Sequence, residues 1–244
     1  MPDICVEFSR RVHHLARLDP EWLKAEFAKR EPWVFQFRMG EADYGGHVSA
    51  VGDVRIGEFH SFAPEAETIL ELGSLEGAHT FMLAQDPRVK RVMALEGRAA
   101  NIRKSEFLKE VFGANNVEFA QANLETDALA FGKFDAIFCS GLLYHLPEPW
   151  KLVERLPAIA PKLFLWTMYS EDRHADMVVD GYRGRRVNEG GADEPLSGLS
   201  SYSLWVTLGS LIESLTRSGY RRIEIIRNDL SHPAGYAITL GASV

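Results

Sequence analysis

The run Thr68-Ile69-Leu70-Glu71-Leu72, followed by Gly73-Ser74-Leu75-Glu76-Gly77-Ala78-His79, constrains this chain more than any other. A short apolar run fits a buried strand, and the paired glycines fit a tight turn from which a helix departs. A second apolar run, Val92-Met93-Ala94-Leu95, ends in Glu96-Gly97. That acid falls about 20 residues beyond the turn, where an open α/β sheet places a carboxylate that accepts hydrogen bonds from ribose hydroxyls. Together the two segments predict a nucleoside site at the C-terminal edge of a sheet.

The alternation continues downstream, with strands near 68–72, 91–95, 116–120, 134–139 and 162–167 and helices near 78–85, 98–112 and 149–159. Short apolar runs separated by helices imply a parallel sheet covered on both faces. A helix over 203–218, ended by Gly219, precedes runs at 222–226 and 236–240 that form a hairpin at the sheet edge. Upstream, Val6, Val12, Leu15 and Leu18, then Trp22, Leu23 and Phe27, recur at helical spacing and predict two short helices. The Gly-rich, polar segment 38–62 reads as loop and turn. Segment 168–202, rich in Gly, Asp, Arg and Ser, leaves the end of a sheet strand and reads as an unpatterned substrate lid, since loops of such length are usually functional. The organisation expected is a helical and loop cap over 1–60 and a ligand-binding unit over 61–244 with the lid inserted at 168–202.

The string ELGSLEG resembles the first motif of the class I S-adenosylmethionine (SAM) dependent methyltransferases: an acid, any residue, Gly, three residues, Gly. The order of elements from about residue 60 onward is also similar to theirs. The resemblance implies an α/β fold with a seven-stranded, mostly parallel Rossmann-like sheet, helices on both faces and a last strand inserted antiparallel. It implies SAM as cofactor and S-adenosylhomocysteine (SAH) as product. Cofactor contacts are implied for Glu71, Gly73, Ser74, Gly77 and His79 at the turn, and for Glu96 and Gly97 after the second strand. They are implied also for Asn123 and Leu124 after the third strand, and for Ser140 and Gly141 after the fourth. Many members carry Asp where this chain has Asn123, whose amide oxygen can accept the same adenine hydrogen bond.

A dinucleotide-binding oxidoreductase is the competing class, but Leu75 stands where the second glycine of G-x-G-x-x-G belongs. A SAM-binding subunit without catalysis is a further alternative. The run Cys139-Ser140-Gly141-Leu142-Leu143-Tyr144-His145 lacks the N-P-P-Y of enzymes that methylate amides or base amines. It resembles the fourth motif of many small-molecule methyltransferases, and also the G-V-L-Y-H run of enzymes that modify the tRNA wobble uridine with a carboxylated SAM.

His145 is the candidate base, because imidazole titrates near ~6.5 and can take a proton from a hydroxyl or amine at neutral pH. Tyr144 is the candidate ring facing the sulfonium. Tyr44, His47 and Arg55 before the sheet, and Tyr169, His174 and Tyr182 in the lid, are the candidate acceptor contacts. Trp166 and Trp205 suggest a flat or apolar substrate region.

The net charge of -7 opposes binding to a phosphate backbone, so a small-molecule acceptor, the hydroxyl or amine of a sugar or secondary metabolite, is expected rather than nucleic acid. The two cysteines, Cys5 and Cys139, have no metal-ligand spacing, and neither a signal peptide nor a membrane span is read. A cytoplasmic location is the expectation. The oligomeric state is left open.

Overall fold

The structure is a computed structural model that describes residues 19–244; the predicted helix on Val6, Val12, Leu15 and Leu18 lies outside the described residues. Helix α1 (Pro20–Ala28) begins at Asp19, whose side chain accepts from the Glu21 amide, and buries Leu23 and Phe27. A small sheet follows, made of β1 (Phe35–Met39), β2 (Ala42–Gly45) and β3 (Val48–Ser49), and then α2 (Val54–Phe62), capped by Asp53. The alternating region comprises β4 (Thr68–Leu72), α3 (Ala78–Ala84), β5 (Arg91–Glu96), α4 (Ala99–Phe112), β6 (Val117–Gln121), β7 (Ala136–Ser140), α5 (Pro149–Val153) and β8 (Lys162–Met168). After it come β9 (Met177–Val179), β10 (Tyr182–Asn188), β11 (Tyr202–Val206), α6 (Leu208–Arg217), β12 (Arg222–Asp229) and β13 (Ala237–Ser243).

The seven-stranded sheet has the order β12-β13-β8-β7-β4-β5-β6. Strands β4 to β8 pair in parallel, while β13 lies antiparallel between β8 and β12. Side chains alternate across β4: Ile69 joins the layer that holds Phe59, Phe138 and Phe164, whereas Leu70 and Leu72 join the layer that holds Trp150, Leu211 and Leu215. In the first layer Phe138 and Phe164 stack with centroids 5.4 Å apart, and Phe59 sets its edge against both. The α/β sheet with helices on both faces is the architecture implied by the resemblance.

Three local expectations are corrected. Segment 38–62 is not loop but the small sheet and α2; Asp53 accepts from the Arg55 amide at 3.0 Å and starts a helix there. The lid is not unpatterned, because β9, β10 and β11 form an antiparallel sheet whose polar outer face hides its periodicity. The helix predicted over 203–218 starts only at Leu208: residues 202–206 pair with β10, and Thr207 caps the helix by accepting from the Ser210 amide.

The N-terminal elements are tied to the glycine turn by a buried carboxylate. Glu76 has no exposed surface and accepts from the amides of Val34 (3.0 Å) and Phe35 (2.8 Å) and from Lys104 Nζ (2.7 Å). Lys104 is itself buried, also donates to the Pro32 carbonyl, and lies 5.2 Å from the Trp33 ring centroid. Losing one partner of such a pair strands the other charge, at about 3–5 kcal/mol. Lys104→Met is therefore expected to lower stability by about that amount in urea titration at pH 7.

Glu71 is buried against α3, where the Thr80 hydroxyl donates to it. Burial, reinforced by the neighbouring Glu96 and only partly relieved by Thr80, pushes its carboxyl up to about 7. The folded protein thus binds this proton more tightly than the unfolded chain. The stability this contributes is full below the ordinary carboxyl value and declines as pH rises toward 7, levelling above it. Glu71→Gln is expected to flatten that decline in urea titrations run from pH 4.5 to 8, with the variant more stable than the native protein at the alkaline end.

Candidate active site

The C-terminal ends of β4, β5, β7 and β8 open onto a cavity of about 620 Å³, within the roughly 300–1,000 Å³ of small-molecule sites. Its floor is the glycine turn. Gly73 has φ +77° and Leu75 φ +52°, and the amides of Gly73 and Ser74 both donate to the Leu95 carbonyl, at 2.9 and 3.1 Å. The positive φ favours glycine at Gly73, and a Cβ there would also lie 3.2 Å from the Leu142 side chain, which would have to shift. Gly77 also has positive φ, but a Cβ there would strike Phe81 and Phe119 at 3.1 Å, so its smallness serves core packing and not the cavity. Ser74 Oγ is buried at the turn with no hydrogen-bond partner among the described residues.

Glu96 closes β5 and is held from three directions. Leu75 N donates to Oε2 at 3.0 Å, Arg98 N to Oε1 at 2.8 Å and Asn101 Nδ2 to Oε1 at 3.3 Å. Oε1 is thereby filled, while Oε2 keeps a lone pair for a ligand hydroxyl. Burial raises the Glu96 carboxyl above its ordinary value, against the pull of these donors.

Of the other implied cofactor contacts, His79, Gly97, Asn123, Leu124, Ser140 and Gly141 line the cavity. Glu71 does not; it faces α3. Asn123 spends an Oδ1 lone pair on the Glu125 amide at 3.0 Å, which closes a local turn. His79 Nε2 donates to Asp53 at 2.9 Å, so that N–H is already engaged within the protein. Burial works against the Asp53 charge, but hydrogen bonds from His79 and Arg55 outweigh it and hold that carboxyl well below its usual range. Arg55 then donates Nη1 to Ser140 Oγ at 2.9 Å and lies 4.6 Å from the Trp166 ring centroid, placing a cation on the cavity wall.

Most expected acceptor contacts are not brought here. Tyr44 packs on Phe27, with centroids 5.2 Å apart, and His47 is exposed outside the lining. Tyr169 is buried and donates to Asn228 at 3.1 Å. Tyr182 stacks on Trp150 at 4.8 Å in the core beneath the insertion. His174 is on the surface beside Glu171. The insertion reaches the cavity through a different piece, the strap 195–199 between β10 and β11.

The far wall is aromatic. Tyr144 sets its ring edge-on to Trp166 and Trp205, each 5.9 Å away, and His232 meets Trp166 at 5.7 Å. Burial pushes the Tyr144 phenol up to about 12, so it stays protonated at neutral pH. His145 is next to it, with Nδ1 at 3.1 and 3.2 Å from the two carboxylate oxygens of Glu189. Burial lowers the imidazole below its ordinary 6.5, with Arg98 acting in the same direction and Glu189 opposing. Glu189 was not legible in the sequence: it lies 44 residues beyond His145 and carries no motif. Arg98 was missed as well, although it follows Glu96-Gly97 directly; it donates to the carbonyls of Gly191, Ala192, Glu194 and Ser197 and holds the strap down. Among the described residues no cluster suited to a metal ion occurs, and no helix is long and apolar enough to cross a membrane.

A family model described as a methyltransferase domain matches residues 64–169. Among curated proteins the chain is similar to a tRNA U34 carboxymethyltransferase of Campylobacter concisus, 28% identical over 120 residues, which are 46% of this chain and 40% of that protein. The corresponding enzyme of Nautilia profundicola is 30% identical over 95 residues, 38% of this chain and 31% of its own length. The match thus spans less than half the length of these relatives. Among solved structures, the N-terminal domain of EvdMO1, crystallised in the presence of SAH and D-fucose, is 34% identical with a TM-score of 0.84, covering 93% of this chain and 97% of that one. The whole of EvdMO1 is 32% identical with a TM-score of 0.74, and the match takes in 95% of this chain but 49% of that protein. Likeness over almost the whole length to a domain crystallised with SAH, around a glycine turn and carboxylate already arranged for a nucleoside, means that the chain belongs to the class I SAM-dependent methyltransferases and uses SAM as its cofactor.

Proposed function

We propose that this enzyme methylates a hydroxyl of a small, sugar-like acceptor, with His145 as the base. The reading is carried by the aromatic end of the cavity, where Tyr144, Trp166 and Trp205 make flat walls around one face and the His145 imidazole stands beside them. Flat aromatic faces suit the C–H face of a sugar ring and the passage of a sulfonium methyl, since a cation over an aromatic ring gains about 0.5–2 kcal/mol. The solved relative crystallised with D-fucose supports the same acceptor class.

When bound, SAM supplies the methyl group as an electrophile and departs as a neutral thioether. The residues to hold it are Glu96 for the ribose, the Gly73–Leu75 turn and the buried Ser74 hydroxyl beneath it, and Arg55 for the amino-acid carboxylate. His145 takes the acceptor's hydroxyl proton on Nε2 as the oxygen forms its bond to carbon. The strap keeps water from the cavity while this occurs, and orientation supplies most of the rate.

A second reading, modification of tRNA, is favoured by the two curated relatives. The net charge of -7 and the strap over the cavity count against a large polyanion. With methyl-labelled SAM, label is expected to pass to D-fucose or its simple glycosides and not to unmodified tRNA; label in tRNA alone would reverse the choice.

The base has its own signature. An imidazole held below 6.5 is neutral over the physiological range, so kcat/KM is expected to rise with pH along an acid limb centred below 6.5 and to be level above it. His145→Gln should abolish that limb and cut kcat by roughly 10²–10⁴-fold.

A further inference from the structure

We propose that Glu189 is a positioning residue: it fixes the tautomer of His145, and because it lies at the root of the strap, closure of the cavity and readiness of the base are one event. The inference deepens the acceptor-hydroxyl reading and rests on it. Glu189 follows β10 directly and turns inward, accepting from Ser197 Oγ, Gly198 N and Ser203 Oγ, each at 2.7 Å, as well as from His145 Nδ1. Ser197 and Gly198 belong to the strap, so the carboxylate closes the strap onto its own stem.

An ionised carboxylate can only accept. His145 must therefore carry its proton on Nδ1, which leaves Nε2 bare, and Nε2 takes no hydrogen bond among the described residues. Burial disfavours the Glu189 charge, yet the donors from Ser197, Gly198 and Ser203 outweigh it and hold the carboxyl below its ordinary value. The other charged group that faces this imidazole is Arg98, from the start of α4.

The strap and its flanks are fastened at three further points, beside the ends of β5 and β6. Arg98 donates through its side chain to the carbonyls of Gly191, Ala192 and Glu194, which lead into the strap, and of Ser197 within it, and through its backbone amide to Glu96. Leu199 sits so close over Gly97 that a Cβ there would come within 2.7 Å of it, and Ser200 donates to Glu125 at 2.7 Å. A strap lifted from the cavity would take Ser197 and Gly198 away from Glu189 and remove two of the donors that keep it charged.

The test reads the ring itself. Long-range ¹⁵N–¹H NMR of the histidine side chains, with the His145 signals assigned by their loss in H145Q, is expected to show Nδ1 protonated and Nε2 bare in the SAH-bound native protein. In E189A the proton should move largely to Nε2, with the calorimetric dissociation constant for SAH unchanged within about 3-fold. E189Q covers the case in which E189A fails to fold: its amide offers one oxygen among several donors, and the Nδ1-protonated population should fall. A native ring protonated on Nε2, or variant rings identical to the native one, overturns the positioning role and leaves the base reading standing. Full methyl transfer by H145Q overturns the base reading and, with it, this proposal.

Discussion

The carboxylate of Glu96 is the interaction on which the site's geometry depends. It ends β5, receives the amide of Leu75 from the glycine turn, and receives Arg98 and Asn101 from the start of α4. Three pieces of chain that diverge from the sheet edge are thereby fixed relative to one another before any ligand arrives. A carboxylate taken out of water gains from each such donor, and hydrogen bonds to charged groups are worth about 1.5–3 kcal/mol each. Its carboxyl nevertheless remains above the ordinary value, because burial outweighs the donors present. A further donor to the free lone pair of Oε2 would shift that balance toward the charged form.

The same logic extends outward through Arg98, whose amide serves Glu96 and whose guanidinium serves the strap. On the opposite side, Glu76 performs the equivalent task for the N-terminal elements, joining the turn to Val34 and Phe35. Both acids lie within or just after the motif segments, and both act by gathering backbone amides. The motif therefore specifies more than a ligand contact: it sets where the chain on either side of the cavity can lie.

What was legible in the sequence is what short-range pattern determines. The strand and glycine turn at 68–79, the acid at Glu96 and the Ser140-Gly141 turn all arrive at the cavity because each is the end of a strand whose place in the sheet is set by alternation and crossover. What was illegible depends on contacts far apart in the chain. Tyr182 looked like a ligand group in a lid and is a core residue on Trp150. β10 presents Arg183, Arg185 and Arg186 to solvent and so reads as loop, although Tyr182 and Gly184 on its other face are buried. Ser203 to Val206 reads as the start of a helix until β10 is there to pair with it. Glu189 is the extreme case, since nothing local marks it and its partners come from three separated segments.

Three carboxylates near one cavity show how donors and burial divide the work. Glu71 has the Thr80 hydroxyl as its donor, faces Glu96, and is pushed up to about 7. A group poised between forms at neutral pH makes a poor fixed anion, which agrees with its place behind the turn rather than in the cavity. Glu96 has three donors against deep burial and stays raised. Glu189 is less deeply buried, has donors from Ser197, Gly198 and Ser203 in addition to His145, and is lowered. An ionised carboxylate can only accept, so it holds a neutral imidazole in the tautomer protonated on the facing nitrogen. The site thus sets an acid held below its ordinary value against the His145 imidazole and one raised above it at the glycine turn.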